Sequence, residues 1–313
     1  MAKCIVFGGN GFIGSHLTDS LVAAGHTVRA FDRYGSLSSV FKQTDKVEMY
    51  VGDFLNSADR IASLKDIEYV FHFISTTTPA SAENDPLIDI DTNIHESVRL
   101  MQECIASGVK KIIFASTGGS IYGTNSTEHP IPETTLPAPI SPYAIGKLTI
   151  EHYLHYFQRK FGLESLVFRI SNPYGPRQSL ASKQGVIPIF LKHIAEDETI
   201  TVLGDGSMIR DFIYVKDVAD MIAGSFETAK EKVYNIGSGQ GVSINELVRL
   251  MKDTVQKEVK TENQDKPSTF VDKVVLDTSL FKNELGISPK INLEEGLKMT
   301  WEFIIKTLEE SKA

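Results

Sequence analysis

With 313 residues the chain is long enough for one or two domains with a sizeable core, and 42% hydrophobic against 23% charged residues is the balance of a soluble globular protein. A formal net charge of -8 without a basic run argues against nucleic acid or an anionic membrane as the main partner, and leaves an anionic small ligand to a local convergence of basic side chains. Two cysteines, Cys4 and Cys104, make a disulfide framework implausible and lack metal-ligand spacing; the eight histidines include no helix-spaced pair beside a carboxylate, and no apolar run approaches membrane-spanning length.

Met1-Ala2-Lys3 leads straight into a strand rather than a signal sequence, so the cytoplasm is the expected location. Lys3–Phe7 is a short apolar run and reads as a buried strand. A glycine loop follows, then Phe12–Ala24 with helical spacing, stopping at Gly25. Thr27–Phe31 is the next strand and ends at Asp32. Val47–Val51 and Tyr69–Phe73 are further strands, separated by a helical stretch near Ser57–Leu64. Asp91–Ser107 is a helix closed by Gly108. Lys111–Ala115 and Leu163–Ile170 are strands, with a helix over Tyr143–Phe161 between them. This alternation is the signature of an α/β fold, a Rossmann-type doubly wound parallel sheet with right-handed connections.

The texture changes after about Asn172, where Pro173, Gly175, Pro176, Gly185, Pro188, Gly204 and Gly206 fall close together. That part reads as a smaller mixed α/β lobe. Phe212–Glu227 resumes a strand-then-helix pattern and is expected to return to the main sheet. The expected division is therefore a dinucleotide-binding domain over 1–171, rejoined by 212–230, and a second lobe over the rest of 172–313. Gln256–Pro267 is polar and reads as a surface turn.

Gly8, Gly11 and Gly14 stand three apart between a strand and a helix, with Phe12 and Ile13 inside the motif. The first permits a tight turn, the second lets the backbone approach a pyrophosphate, and the third lets helix and strand pack closely. Asp32 ends the second strand about twenty residues on, where a carboxylate binds adenine-ribose hydroxyls. The cofactor read from this is NAD rather than NADP, since a 2′-phosphate would meet that carboxylate; Arg33 next door pulls the other way.

Tyr143 and Lys147 are four apart on one helix face, so the ammonium can stabilise the phenolate. Tyr156 and Lys160 have the same spacing and read as an ordinary surface pair. Position separates the two: Tyr143 follows Ser141-Pro142 at the helix start, within reach of the loop carrying Ser116 and Thr117. The carboxyl ends of parallel strands form the ligand crevice, and a hydroxyl there can hold a substrate hydroxyl against Tyr143. Together the two motifs point to redox chemistry at a hydroxyl-bearing carbon.

These residues resemble the extended short-chain dehydrogenases/reductases of the NAD-dependent nucleotide-sugar epimerase/dehydratase family, most of all the UDP-glucose 4-epimerase-like members. The resemblance runs nearly end to end, through Gly8–Gly14, Gly52-Asp53, Phe71-His72-Phe73, Thr92-Asn93, Phe114–Gly123, Tyr143 with Lys147, Arg169–Arg177 and Gly204-Asp205-Gly206 with Arg210–Val215. It implies that Asp53 and Phe54 contact the adenine and that Phe73 and Asn93 line the cofactor channel. It implies Thr117 as the catalytic hydroxyl with Ser116 beside it, Tyr143 as the acid/base and Lys147 as its partner. Asn172 and Arg210 would hold the diphosphate of a nucleotide sugar, Val186 would shape the nucleotide pocket, and Thr77 would meet the substrate. Val274, three residues before Asp277, falls where family members gate the pocket against N-acetylated sugars with a tyrosine, so an acetamido group should be tolerated.

The departures narrow the activity. Family dehydratases carry Asp-Glu after the Ser-Thr pair; here Gly118 and Gly119 stand there, so dehydration is rejected. Sugar-nucleotide decarboxylases use a glutamate in this loop, and none lies between Ser116 and Gly123. Lys266-Pro267-Ser268-Thr269, with Asp272 displaced, replaces the Arg-Pro-x-Asp of epimerases and leaves the uridine-ribose contacts open. The expected activity is an NAD-dependent nucleotide-sugar 4-epimerase of the UDP-glucose/UDP-galactose type, working through a transient 4-keto sugar. Two other readings stand beside it: an NAD(P)H-dependent 4-keto-6-deoxysugar-nucleotide reductase and a catalytically silent dinucleotide sensor. The resemblance also implies a homodimer through a four-helix bundle of Thr92–Ser107 and Tyr143–Phe161. His16, His152, His155 and His193 read as surface residues, Trp301 as packing for the last helix, and Cys104 as a core or interface residue.

Overall fold

The computed structural model describes residues 1–35, 39–42, 44–123, 130–180, 184–266 and 271–311. The first lobe opens with β1 (Lys3–Phe7), α1 (Phe12–Ala23), β2 (Thr27–Asp32), β3 (Val47–Val51), α2 (Ser57–Ser63) and β4 (Tyr69–His72). Two short helices follow, α3 (Pro79–Asn84) and α4 (Pro86–Asp89), then a π-helical turn (Ile90–Ile94) that runs into α5 (His95–Ala106). Next come β5 (Lys111–Thr117), α6 (Pro142–Phe161), β6 (Glu164–Ile170) and β7 (Asn172–Tyr174). The remaining elements are α7 (Val186–Ala195), β8 (Ile200–Leu203), β9 (Ile209–Tyr214), α8 (Val215–Ser225), β10 (Val233–Ile236) and β11 (Gly241–Ser243). The chain ends with α9 (Ile244–Val255), β12 (Thr261–Gln264), β13 (Lys273–Val274), α10 (Ser279–Leu285) and α11 (Leu293–Glu310).

Seven strands form one sheet in the order β10-β6-β5-β4-β1-β2-β3, and every pairing in it is parallel. Successive side chains of a strand face opposite sides, and both sides are covered over the central strands, so β1, β4 and β5 are buried along most of their length, while the edge strand β3 is largely exposed. In β1, Cys4 and Val6 enter the layer beneath α1, α8 and α10, while Ile5 and Phe7 enter the layer beneath α2, α5 and α6. The strand order reverses between β1 and β4, which opens the crevice at their carboxyl ends.

The segment expected to rejoin this sheet divides. Its strand, β9, instead centres a small sheet with β11, β13 and β7, and its helix α8 packs on α1 beneath the main sheet. The strand that does join is β10, beside β6. A second departure lies within Gln256–Pro267. Thr261–Gln264 is strand β12, paired in parallel with β8, rather than a turn. All four of its residues are exposed, so it carries no apolar alternation. The third core layer, from α7, β8, β9, α9 and α11, holds this lobe together, and Trp301 packs against it as expected.

One buried ion cluster ties α2 to α5. Arg60, fully buried, meets Glu103 through Nε and Nη2 at 2.8 Å each and Glu96 through Nη1 at 2.8 Å. Removing one partner of such a pair leaves a buried charge uncompensated. Cys104 is in the core and unpaired, and burial pushes its thiol up out of the reactive range.

Candidate active site

The glycine loop is built by close approach. Gly8 has φ +84°, and a Cβ on Gly14 would fall on the carbonyl oxygen of Gly8. Gly11 N donates to that same oxygen at 2.9 Å. Helix α1 begins at Phe12 with no acidic residue in its first turn, so the free N–H groups of Phe12 and Ile13 and the positive dipole end face the crevice unopposed. Asp32 reaches back to this loop, its Oδ2 accepting from Asn10 N at 3.1 Å and its Oδ1 from Arg33 N at 2.8 Å. Each oxygen retains a further lone pair. A cradle that no side chain fills, an open helix N-terminus and a carboxylate at the end of β2 fit a dinucleotide.

The other expected cofactor residues divide. Asp53 caps the chain entering α2, accepting from Leu55 N at 2.9 Å, and is half-buried. Phe54 is 2% exposed, its ring packed edge-on to Phe7 and stacked on His72, which leaves its backbone for any contact with the adenine. Phe73 is half-buried just after β4. Asn93 is buried in the π-helical turn, and its amide is spent on the loop after β4: Oδ1 accepts from Thr76 N at 3.0 Å, and Nδ2 donates to Thr77 Oγ1 and Asp89 Oδ1, both at 2.8 Å. The Thr77 hydroxyl is buried and donates to Asp89 Oδ1 at 2.5 Å.

Tyr143 and Lys147 stand on one face of α6. Ser141 caps this helix, accepting from Ala144 N, and Pro142 fits its first turn. Lys147 is buried, donates to Ala115 O at 2.9 Å, and lies 4.7 Å from the Phe114 ring and 5.7 Å from the Tyr143 ring. Burial pulls Lys147 down to about 8, against the opposing fields of Asp89 and Glu151. Burial, and then Asp89, pushes Tyr143 up to about 12. Tyr156 and Lys160 form the exposed pair expected of them, 2.9 Å apart.

The two hydroxyls at the end of β5 part company. Thr117 is half-buried at the crevice, 3.1 Å from Ser120 Oγ. Ser116 donates to Glu151 Oε1 at 2.5 Å and is buried against α6, so it is not a second hydroxyl at the crevice. Glu151 is bound in turn by Arg169 at 2.7 Å, and Arg169 Nη1 donates to Tyr122 Oη at 3.1 Å. The spacing Tyr143, Lys147, Glu151, four and again four, was a readable sign of this third residue.

On the small-sheet side, Asn172 and Arg210 lie on the neighbouring strands β7 and β9. Asn172 Nδ2 donates to Asp211 O at 3.0 Å, and Arg210 Nη1 to Ile209 O at 2.9 Å. Asp211, buried and absent from the expected set, binds Ser238 N at 2.8 Å and Ser238 Oγ at 2.7 Å, with Gly239 N and Leu276 N at 3.2 Å each. It welds β9 to the turn after β10 and to the segment after β13. Val186 is half-buried at the first turn of α7, after Gly185 at φ +89°. Val274 is 2% exposed among Ile121, Tyr122, Ile131 and Leu276, and so lines no open pocket. Of the Lys266–Asp272 stretch, 267–270 lie outside the described residues.

His16 is corrected as well. It is buried on α1, its Nε2 3.0 Å from Pro176 O, and burial holds it down to about 4. Three residues on, Asp19 binds Arg177 at 2.7 Å, so the Pro173–Arg177 segment is anchored onto the dinucleotide helix.

A model of the NAD dependent epimerase/dehydratase family matches residues 4–237. The chain belongs to that family. It is similar to the UDP-glucose 4-epimerase of Thermotoga maritima solved with UDP-glucose: 39% identity, TM-score 0.92, covering 98% of this chain and 99% of that one. It is similar to the Thermus thermophilus UDP-glucose 4-epimerase solved with NAD: 29% identity, TM-score 0.89, 96% and 98% covered. Among relatives known by sequence, dTDP-4-dehydro-6-deoxyglucose reductase of Escherichia coli is 31% identical over 94% of both chains.

Proposed function

We propose that the chain is an NAD-dependent nucleotide-sugar 4-epimerase interconverting UDP-glucose and UDP-galactose. The observation that carries this is buried Lys147 beside Tyr143 on α6 and bonded to Ala115 O of β5, with Thr117 at that strand's carboxyl end and the position after it closed to a side chain. A Cβ on Gly118 would collide with Leu276 Cδ1 and lie 2.9 Å from Arg169 O, so the dehydratase carboxylate has no space at that position.

Gly8, Gly11, Phe12, Ile13, Gly14, Asp32, Asp53, Phe73 and Lys147 would hold NAD, which when bound supplies the oxidation and re-reduction at C4 that inversion requires. Tyr143 takes the proton of the 4-hydroxyl and later returns it. Lys147 supplies the positive charge that favours the phenolate. Thr117 orients the hydroxyl. Asn172 and Arg210 hold the diphosphate while the keto sugar turns over to present its other face.

The same reading has the chain act in the cytoplasm as a homodimer. Supporting the dimer, Ile145, Tyr153, Tyr156 and Phe161 of α6 and Leu87, Ile88 and Ile90 beside it are apolar and exposed in the single chain. No helix among the described residues is long and apolar enough to cross a membrane.

The test is conversion of UDP-galactose to UDP-glucose by purified protein without added reductant, alongside measurement of the nucleotide it carries. Turnover with NAD near one per subunit is expected. No turnover of UDP-galactose, with a 4-keto-6-deoxysugar nucleotide reduced to the alcohol as NADH or NADPH is consumed, would make it a reductase, the reading favoured by the Escherichia coli relative.

A further inference from the structure

Asp89 ends α4, one turn before Asn93, and is 3% exposed. Its Oδ1 is held by Thr77 Oγ1 and Asn93 Nδ2. Its Oδ2 occupies the space in which any residue but glycine at 146 would carry its Cβ. Gly146 sits between the two working residues of α6, one turn after Tyr143 and next to Lys147. Asp89, Asn93, Tyr143, Gly146 and Lys147 line one small cavity, with His72 on its β4 side. Two neutral donors cannot cancel a carboxylate's charge, so that charge acts on what lies beside it.

We propose that Asp89 is a positioning residue of the Tyr143–Lys147 pair, its carboxylate locked by Thr77 and Asn93 in the gap left by Gly146 so that its field sets the charge state of both. The inference rests on the roles proposed above for Tyr143 and Lys147. Three titratable groups face the pair: Asp89 from α4, Glu151 from α6 itself and His72 from β4. His72 is kept neutral, held down to about 3 by burial and by the fields of Lys147 and Arg60. Glu151 is spent on Arg169 and Ser116. Asp89 opposes the burial of Lys147, favouring its ammonium in a buried site, and adds to the burial of Tyr143, raising the phenol's pKa against the Lys147 charge that favours the phenolate. Both effects have one sign, so losing the carboxylate lowers both pKa values.

The test is Asp89→Asn, read in two ways. Tyrosinate absorbance of the purified protein, taken as the difference from a Tyr143→Phe background, reports Tyr143 without any turnover. It should titrate lower by about one pH unit or more, the size of effect a nearby charge exerts. The alkaline limb of the kcat/KM profile should move to lower pH by a similar amount. Gly146→Ala keeps the carboxylate but pushes it off the pair, and should shift the same titration in the same direction by less; it serves where Asp89→Asn does not fold. A uniform fall in rate with the titration and the limb unmoved would overturn the proposal and leave Asp89 a structural residue. Normal turnover by Tyr143→Phe is a different failure: it removes the proposed roles themselves, and the absorbance titration still reports whether Asp89 acts on Tyr143.

Discussion

Ser116 Oγ donates to Glu151 Oε1 at 2.5 Å, and this bond separates two adjacent hydroxyls into different tasks. Neighbours on a strand face opposite sides. Ser116 therefore meets α6 and fixes its angle to β5, while Thr117 remains at the crevice. Thr117→Ala should lower kcat by about tenfold or more while leaving the melting temperature near that of the parent. Ser116→Ala should do the reverse, removing a donor from a buried carboxylate at a cost of about 1–3 kcal/mol. Parallel urea titrations and steady-state kinetics separate the two. Equal kinetic losses with unchanged stability would return Ser116 to the catalytic set.

Tyr143→Phe should reduce turnover by about 10²–10⁴-fold, the usual contribution of one general acid/base. The ring is kept and only its hydroxyl is lost, so the nucleotide released from the denatured variant should match that of the parent. Near-normal turnover would remove Tyr143 from the reaction.

Much of this arrangement was legible because its signals are local. β1 and β5 are short apolar runs buried on both faces over nearly their whole length, so the run alone betrays the strand. Gly8, Gly11 and Gly14 announce their purpose by spacing. What escaped is non-local or inverted. β12 is four exposed polar residues whose strand character comes from pairing with β8, which no periodicity encodes. β9 has the strand-then-helix texture of the main sheet, yet its partners are β7, β11 and β13. Asp89 carries no signal in the sequence, because only the fold brings it against Gly146. His16 reads as a surface residue until Pro176 closes over it.

His72 should make the fold acid-sensitive. Its ring is buried with Nε2 on Ser97 Oγ at 2.7 Å, its Nδ1 has no hydrogen-bond partner among the described residues, and burial holds it down to about 3. The folded pKa lies below the ordinary value of about 6.5, so below that pH the unfolded chain binds the extra proton. Stability is present above about 6.5 and is lost as pH falls toward 3, by up to about 1.4 kcal/mol per unit for this one group. His72→Phe keeps an aromatic ring and removes the titration. Urea midpoints measured between about pH 7 and 4 should fall less steeply for the variant, whatever its absolute stability. Parallel slopes for the two proteins would assign the acid loss to other groups, His16 first among them.

Val274 tests where the sugar pocket ends. Its place three residues before Asp277 suggested a gate against acetamido sugars, with valine leaving the space open. The structure closes that space instead: Ile121, Tyr122, Ile131 and Leu276 surround the side chain, and Tyr122 is itself fixed by Asn235 at 2.8 Å and by Arg169. A tyrosine here enters a filled cluster, and overpacking of this kind costs about 1–3 kcal/mol. The residue on this segment that approaches Gly118 is Leu276, whose Cδ1 fills the place of a Gly118 side chain. Val274→Tyr should therefore lower the urea midpoint and leave the kcat/KM ratio of UDP-glucose to UDP-N-acetylglucosamine unchanged in the molecules that stay folded. Leu276→Ala should move that ratio toward the larger sugar by opening room beside Gly118, at a stability cost of about 2–5 kcal/mol. A Val274→Tyr protein of parental stability that discriminates tenfold more strongly against the acetamido sugar would put Val274 on the pocket wall after all.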